Sequence, residues 1–289
     1  MFKNMINEAK IVFNMKLDSS LNIMSSNQNS IDPTLPDMQC IRTYRNGKNT
    51  VFIPGSSIKG VMRNRCERIL KFLGGDVCNI VDMKNSCGDR EDKDLSGKEV
   101  YDKICPACRM FGSTSLGGRV KFRDAYPIGD VKVGLRDGVG IDRITGAAQR
   151  GALYNFEVVE DGIFQVIITL NNYELYQLKV LLYAIQDIDD GYVAFGGATT
   201  RGNGRMRIED LKVEFRDYRK GINALTGYDE EDRGGDLEYN RYMYFHKAQI
   251  PKEENPKGGN DFRYSMDQLL KVLDDIDIKN RIGGRENGR

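Results

Sequence analysis

The sequence predicts an α+β fold, a split βαβ sandwich carrying insertions, and three observations predict it. Residues 10–17 alternate apolar and polar side chains through Ile11, Phe13, Met15 and Leu17, the period of a half-buried strand. After the turn at Pro54-Gly55, Ile58, Val61, Met62, Ile69, Leu70 and Leu73 recur at helical spacing. A second strand-then-helix pattern runs from Ile163 to Leu170 and from about Tyr173 to Ile185. Two strand–helix–strand units in this order are the signature of the split βαβ arrangement.

The other elements follow from local chemistry. With 289 residues, 40% of them hydrophobic, the chain can fill one large core with insertions or two small ones. Residues 25–36 are polar and proline-bearing, a long loop of the kind that is functional or disordered. Val51-Phe-Ile-Pro-Gly reads as a short strand ending in a turn, Ser56 or Ser57 as the cap of the first helix, and Gly74-Gly75 as its stop. Strand signals recur at 119–122, 192–195 and 211–215. Beyond Asp217 the signal fades into acidic, glycine-broken and polar stretches, with a helix expected over 264–276 and no chemistry assigned.

Charge and composition exclude several classes. Lysine plus arginine (43) nearly equals aspartate plus glutamate (42), so any nucleic-acid site must be a local stripe. No apolar run approaches the roughly 18 residues of a membrane span, and residues 1–10 lack the apolar stretch of a signal peptide, so a cytoplasmic chain with no membrane partner is expected. A single histidine, His246 among aromatics, argues against paired-imidazole catalysis and reads as a packing residue. Cleavage by such a chain would fall to carboxylates and a metal.

Three constellations stand out. In Ile53-Pro-Gly-Ser-Ser-Ile-Lys-Gly-Val-Met-Arg63, hydroxyls, Lys59 and Arg63 sit at a helix start, where backbone amides attract anions. That is either a phosphate cradle or an ordinary capped helix with a solvated basic face. Gly196 to Arg207 combines glycines, among them Gly197, Gly202 and Gly204, with Arg201, Arg205 and Arg207; it suits a polyanion, although it lacks a Walker ending, and a plain hairpin turn is its rival. Cys105-Pro-Ala-Cys108, with Cys87 and Cys78 upstream, has the half-site spacing of a four-thiolate structural zinc site. A redox pair is the alternative, but the surroundings lack a thioredoxin context. Cys40 and Cys66 lie outside this spacing.

Four segments taken together, residues 53–60, 105–113, 142–148 and 196–204, resemble the RAMP superfamily, and more narrowly the repeated backbone subunit of type III CRISPR effector complexes. The resemblance spans about residues 10–215. It implies a single domain over 1–289 with a modified RNA-recognition, ferredoxin-like fold. Its insertions would be a catalytic loop (25–50), a zinc-binding lid (74–118) and a β-hairpin thumb (130–162), with 217–289 a C-terminal extension. By this resemblance Ser57, Lys59 and Arg63 hold guide-RNA phosphates, the glycine loop is a second guide-binding element, and Asp142 to Phe156 is the thumb. Arg143 and Arg150 would flank the thumb's small-residue tip. The implied partners are a guide CRISPR RNA, a target RNA, further copies of the chain in a filament and the complex's other subunits.

The resemblance also implies where cutting would occur. Target-cleaving relatives carry an aspartate a few residues before an arginine in the loop preceding the first helix. Asp37, five positions before Arg42, matches that spacing; Asp32, before Pro33, matches less well and reads easily as a turn residue. A carboxylate there would orient a divalent cation such as Mg or the ribose 2′-hydroxyl. A binding-only scaffold and a stand-alone repeat-processing endonuclease are the competing functions. The lone histidine weighs against the latter.

Overall fold

The computed structural model describes residues 4–25, 36–79, 86–87, 95–219, 224–234, 243–247 and 263–264, together with isolated positions from 270 to 282. Asp32 and most of the loop expected over 25–36 lie outside these residues.

The elements are β1 (Asn7–Leu17), β2 (Arg42–Arg45), β3 (Lys48–Val51), α1 (Gly55–Phe72), α2 (Gly97–Lys103), α3 (Pro106–Phe111), β4 (Val120–Phe122) and β5 (Tyr126–Pro127), then β6 (Lys132–Ile141), β7 (Ala148–Asp161), β8 (Ile163–Asn171), α4 (Leu175–Asp189), β9 (Met206–Asp217), β10 (Met243–Lys247) and β11 (Arg263–Tyr264). The main sheet runs β11-β10-β9-β1-β8-β4, with β5 also on β8. Strand β1 pairs antiparallel with both β8 and β9, and β4 pairs antiparallel with β8. Strands β1 and β4 are therefore parallel with β8 between them, and β8 and β9 are parallel with β1 between them. These are two interleaved βαβ units, the ferredoxin-like arrangement within an α+β, largely antiparallel protein.

Period-two burial explains the sheet. Ala9, Ile11, Phe13 and Met15 of β1 and Phe164, Val166, Ile168 and Leu170 of β8 are at most 1% exposed and face α1 and α4. Each such large side chain contributes about 1.5–3 kcal/mol by leaving water. Helix α1 presents Ile58, Met62, Cys66 and Leu70 to the same core, and nearly the whole circumference of α4 is buried. The thiol of Cys66 is pushed well up by burial, that of Cys40 to about 11 by burial and then by Glu157, so both are protonated packing residues.

Four expectations need correction. Neither Ser56 nor Ser57 caps α1; Pro54 is the N-cap, both serines lie exposed in the first turn, and the Gly55 amide donates to Asp124 Oδ1 at 2.8 Å. A carboxylate supplied from another element has taken the serine's place. Residues 192–195 form no strand: the Phe195 amide bonds to Gly204, and Tyr192 is 73% exposed. Residues 42–51 form a hairpin, β2–β3, turning through Asn46 and Gly47, both at positive φ. Past Asp217, β10 and β11 extend the sheet, while most of the helix expected over 264–276 and the side chain of His246 lie outside the described residues.

The segment 74–118 is anchored on α4. The Tyr101 hydroxyl bonds to Glu174, Gln177 donates to Tyr101 Oη at 2.7 Å, and the buried Arg119 guanidinium lies 3.9 Å from the Tyr101 ring centroid and 3.5 Å from Glu174. Burial raises the Glu174 carboxyl above its usual value, with Tyr101 and then Arg119 opposing.

Candidate nucleic-acid interface and metal centre

The four expected cysteines come together. Cys78, Cys87, Cys105 and Cys108 are buried, and their sulfurs all lie within 4.8 Å of one another. Cys78 Sγ is 3.6 Å from both Cys108 Sγ and Cys105 Sγ. A zinc ion with Zn–S bonds of about 2.3 Å in tetrahedral geometry places sulfurs about 3.8 Å apart, so the donor set fits a closed structural site. The local sequence builds it: Pro106 opens α3, Cys105 is its N-cap, and the Cys108 amide donates to Cys105 Sγ at 3.4 Å.

Arg63 belongs to this cluster. Its Nη2 lies 3.4 Å from Cys108 Sγ, Nη1 donates to the Gly112 carbonyl at 3.2 Å, and Nε pairs with Glu67 at 2.8 Å. One turn earlier, Lys59 stands half-buried between two grooves. The larger, about 570 Å³, passes the cysteines and Ser113; the smaller, about 330 Å³, runs by Ser56 and Lys121. Lys59 and Arg63 both line the larger groove, with the Arg63 guanidinium committed to Cys108, Gly112 and Glu67. Ser57 is exposed, and its amide is used within the helix by Pro54.

Strands β6 and β7 form a separate two-stranded ribbon whose tip is an Asx turn, with Asp142 Oδ1 accepting from the Ile144 and Thr145 amides at 2.9 and 2.8 Å. Arg143 and Arg150 are exposed beside it, and Ile144 is 94% exposed. One face of the ribbon carries Leu135, Val139, Ile141 and Leu153, all exposed. The other carries Gly134, Gly138 and Gly140 opposite Tyr154 and Phe156. A Cβ on Gly138 would lie 2.3 Å from Tyr154 Cζ, so glycine there lets the ring lie flat across the strand, stacked with Phe156 at 5.9 Å.

Asp37 is fastened to this ribbon. Its amide donates to Asn155 Oδ1 at 2.8 Å and the Asn155 amide donates to Asp37 Oδ2 at 3.0 Å, a reciprocal pair that leaves Oδ1 unpartnered among the described residues and the side chain exposed. Two residues on, the Glu157 amide bonds to the Met38 carbonyl, and the Glu157 carboxylate accepts from the Cys40 amide and from both terminal nitrogens of Arg42. Asn155, Glu157 and Tyr154 were not singled out from the sequence. The alternation of glycines at 134, 138 and 140 against Tyr154 and Phe156 was the available sign.

The glycine loop meets the ribbon's aromatic face. Arg201 Nη1 lies 3.4 Å from Tyr154 Oη, and Arg136 reaches Ser20 Oγ at 2.6 Å and Asn203 Oδ1 at 3.5 Å. A Cβ on Gly204, at φ +84°, would meet the Phe195 carbonyl at 2.0 Å, so this glycine serves close packing within the chain. The Gly197 amide is taken by Asn22, whereas Gly202 turns in open space. Arg201 and Arg205 are exposed; Arg207 is engaged by Asp18 and by the Asp189 carbonyl. The open faces of β1, β8 and β9 carry charged, polar and aliphatic side chains and no aromatic ring, so base stacking on the sheet in the manner of RNA-recognition motifs has no platform there.

A family model of the RAMP superfamily matches residues 40–207, more than half of the chain. The chain belongs to the RAMP superfamily. The matched span takes in α1, all four clustered cysteines, the ribbon and the glycine loop, and begins just after Asp37. Among curated proteins, the CRISPR system Cms endoribonuclease Csm3 of Methanocaldococcus jannaschii is 26% identical over 213 residues, covering 67% of this RAMP chain and 78% of that protein. The protein of the same name from Methanothermobacter thermautotrophicus is 25% identical over 225 residues, covering 65% and 77%. The resemblance carried by the four sequence motifs is thereby borne out. No helix among the described residues is long and apolar enough to cross a membrane.

Proposed function

We propose that this RAMP chain is the guide-RNA-coating backbone subunit of a type III CRISPR effector complex, working in the cytoplasm beside further copies of itself and the complex's other subunits, and that it cleaves the target RNA paired with the guide. The observation that carries the reading is Asp37: an exposed carboxylate clamped by Asn155 to the arm of a ribbon whose tip is shaped as a wedge. The names of the two relatives support nuclease activity.

In this reading the catalytic loop is 25–50, the lid 74–118, the thumb 130–162, and 217–289 an extension of the same single domain. Lys59 and the exposed Ser57 contact guide phosphates along the α1 groove. Arg201 and Arg205, presented by the loop of Gly197, Gly202 and Gly204, form the second contact. Arg63 acts on the first contact indirectly, by neutralising thiolate charge behind Lys59. The tip at Ile144, with Arg143 and Arg150, wedges between base pairs and grips backbone. Structural zinc held by the four cysteines keeps the lid over α1.

At the cut, Asn155 fixes Asp37 Oδ2, so Oδ1 is left to accept the hydrogen bond of a ribose 2′-hydroxyl and align it with the adjacent phosphate. In the alternative that a divalent cation such as magnesium takes part, Asp37 is the residue that would hold it in place of the hydroxyl. Such an ion supplies charge stabilisation at the phosphate. The test is to purify the chain with its neighbours and extract nucleic acid: a small RNA of uniform length supports the reading, and its absence, or a random mixture, contradicts it.

A further inference from the structure

A further concavity, apart from the two grooves beside Lys59, lies between the β2–β3 hairpin and the β4–β5 segment. It has a volume of about 1050 Å³, with Gln165 and Ile167 of the open sheet face at its floor. Arg45 and Tyr126 line it together, Arg45 Cζ 3.7 Å from the Tyr126 ring centroid, and Tyr126 in turn stacks on Phe52 at 5.7 Å and 19°. A guanidinium laid flat on a ring keeps its N–H edges free for phosphate or base acceptors. The charge is lopsided. Arg45, Lys48 and Arg123 are exposed and have no ion pair among the described residues, Arg42 is neutralised by Glu157, and of the two lining acids Asp124 is bonded to the Gly55 amide, leaving Asp130. Asn46, Asn49 and Thr50 add neutral hydrogen-bonding groups.

We propose that this cleft binds single-stranded RNA, as the continuation of the strand whose phosphate lies at Asp37. The inference rests on the proposed function for its substrate. The link is physical: Arg42 begins the hairpin, only five residues from Asp37, a reach of at most about 17 Å. Both ends of that segment are fastened to β7, by Asn155 and by Glu157. RNA leaving Asp37 toward the hairpin therefore meets a basic trough with a stacked arginine, the combination that holds single strands with little regard to sequence.

The test uses the full chain and an oligouridine of about 12 nucleotides carrying 4-thiouridine, with photocrosslinked peptides mapped by mass spectrometry and affinity read over a salt series. Crosslinks are expected at Tyr126, lost in Lys48→Ala/Arg123→Ala, whose salt slope should fall by about one for each phosphate contact removed. Arg45→Lys, which keeps charge but not the planar stack, should also weaken the cleft crosslink. Crosslinks confined to α1 and the glycine loop, with an unchanged slope in the double variant, would overturn this inference and leave the proposed function standing. Absence of RNA crosslinks anywhere would overturn both, and a protein neighbour crosslinked at the hairpin in place of RNA would overturn the cleft assignment alone.

Discussion

Glu157 locks the Asp37 segment to the ribbon, and truncating it to alanine tests that lock. Its carboxylate accepts from Arg42 Nη1 at 2.7 Å, Arg42 Nη2 at 3.0 Å and the Cys40 amide at 2.9 Å. Hydrogen bonds to a charged group contribute about 1.5–3 kcal/mol each, but three on one carboxylate are not additive. The Arg42 and Glu157 side chains are 27% and 15% exposed, so water can reach Arg42 once its partner is gone. Glu157→Ala should therefore cost about 2–4 kcal/mol, short of the upper end for breaking a fully buried pair. At roughly 2–4 °C per kcal/mol for a chain of this size, the melting temperature should fall by about 4–16 °C. Trypsin should also gain access to the Arg42 bond. Burial opposes ionisation of Glu157, yet the hydrogen bonds from Arg42 and Cys40 outweigh it and hold the carboxyl below the usual glutamate value. A group with a depressed folded pKa contributes stability above its unfolded pKa. The gap between wild type and variant should thus be full at neutral pH and close as pH falls below about 4.3. An unchanged melting temperature with a protected Arg42 bond would refute the lock.

Three other outcomes are expected. Elemental analysis of chain prepared without chelator should give about one zinc, and Cys105→Ser should release it and expose 74–118 to protease while the sheet melts much as before; a zinc-free wild type contradicts the centre. Lys59→Ala should lower the salt slope of guide binding by about one, whereas Arg63→Ala should act first on zinc retention; identical behaviour would mean that both face RNA. Deleting the tip from Ile144 to Ala148 should spare guide binding and shift the positions of target cuts, and loss of guide binding would remove the thumb assignment.

What the sequence disclosed follows the range of the forces involved. Strands β1, β8 and β9 and helices α1 and α4 were legible because one buried face imposes its period on neighbouring residues. The cysteine cluster was legible because ligand spacing is local in one half-site. The β2–β3 hairpin carried an open signal, Asn46-Gly47 between alternating residues, which the polar surroundings of a presumed loop concealed. Asp124 at the start of α1 could not be read, since its partner Gly55 lies 69 positions away. The bonds of Arg63 to Cys108 and Gly112 could not be read, because a helical wheel does not show that the cysteine insertion folds over one side of α1. The segment 192–195 looked like a strand from its side chains, but its backbone bonds go to Gly204 and Asp187. Nothing in the order of residues announced Asn155, whose role exists only once the ribbon passes Asp37.

The central claim is that the chain cuts RNA through Asp37, and the most direct measurement is target cleavage by the guide-loaded assembly containing Asp37→Ala. The account predicts loss of cleavage with guide and target affinity nearly unchanged, because one exposed carboxylate aligned by Asn155 acts on the transition state and little on phosphate binding. Asp32→Ala, on the same preparation, should cut normally. Cleavage at the wild-type rate by Asp37→Ala would contradict the account: if Asp32→Ala were then inactive, the catalytic register would move to Asp32, and if both cut normally, the chain would be a scaffold that binds RNA without cutting it.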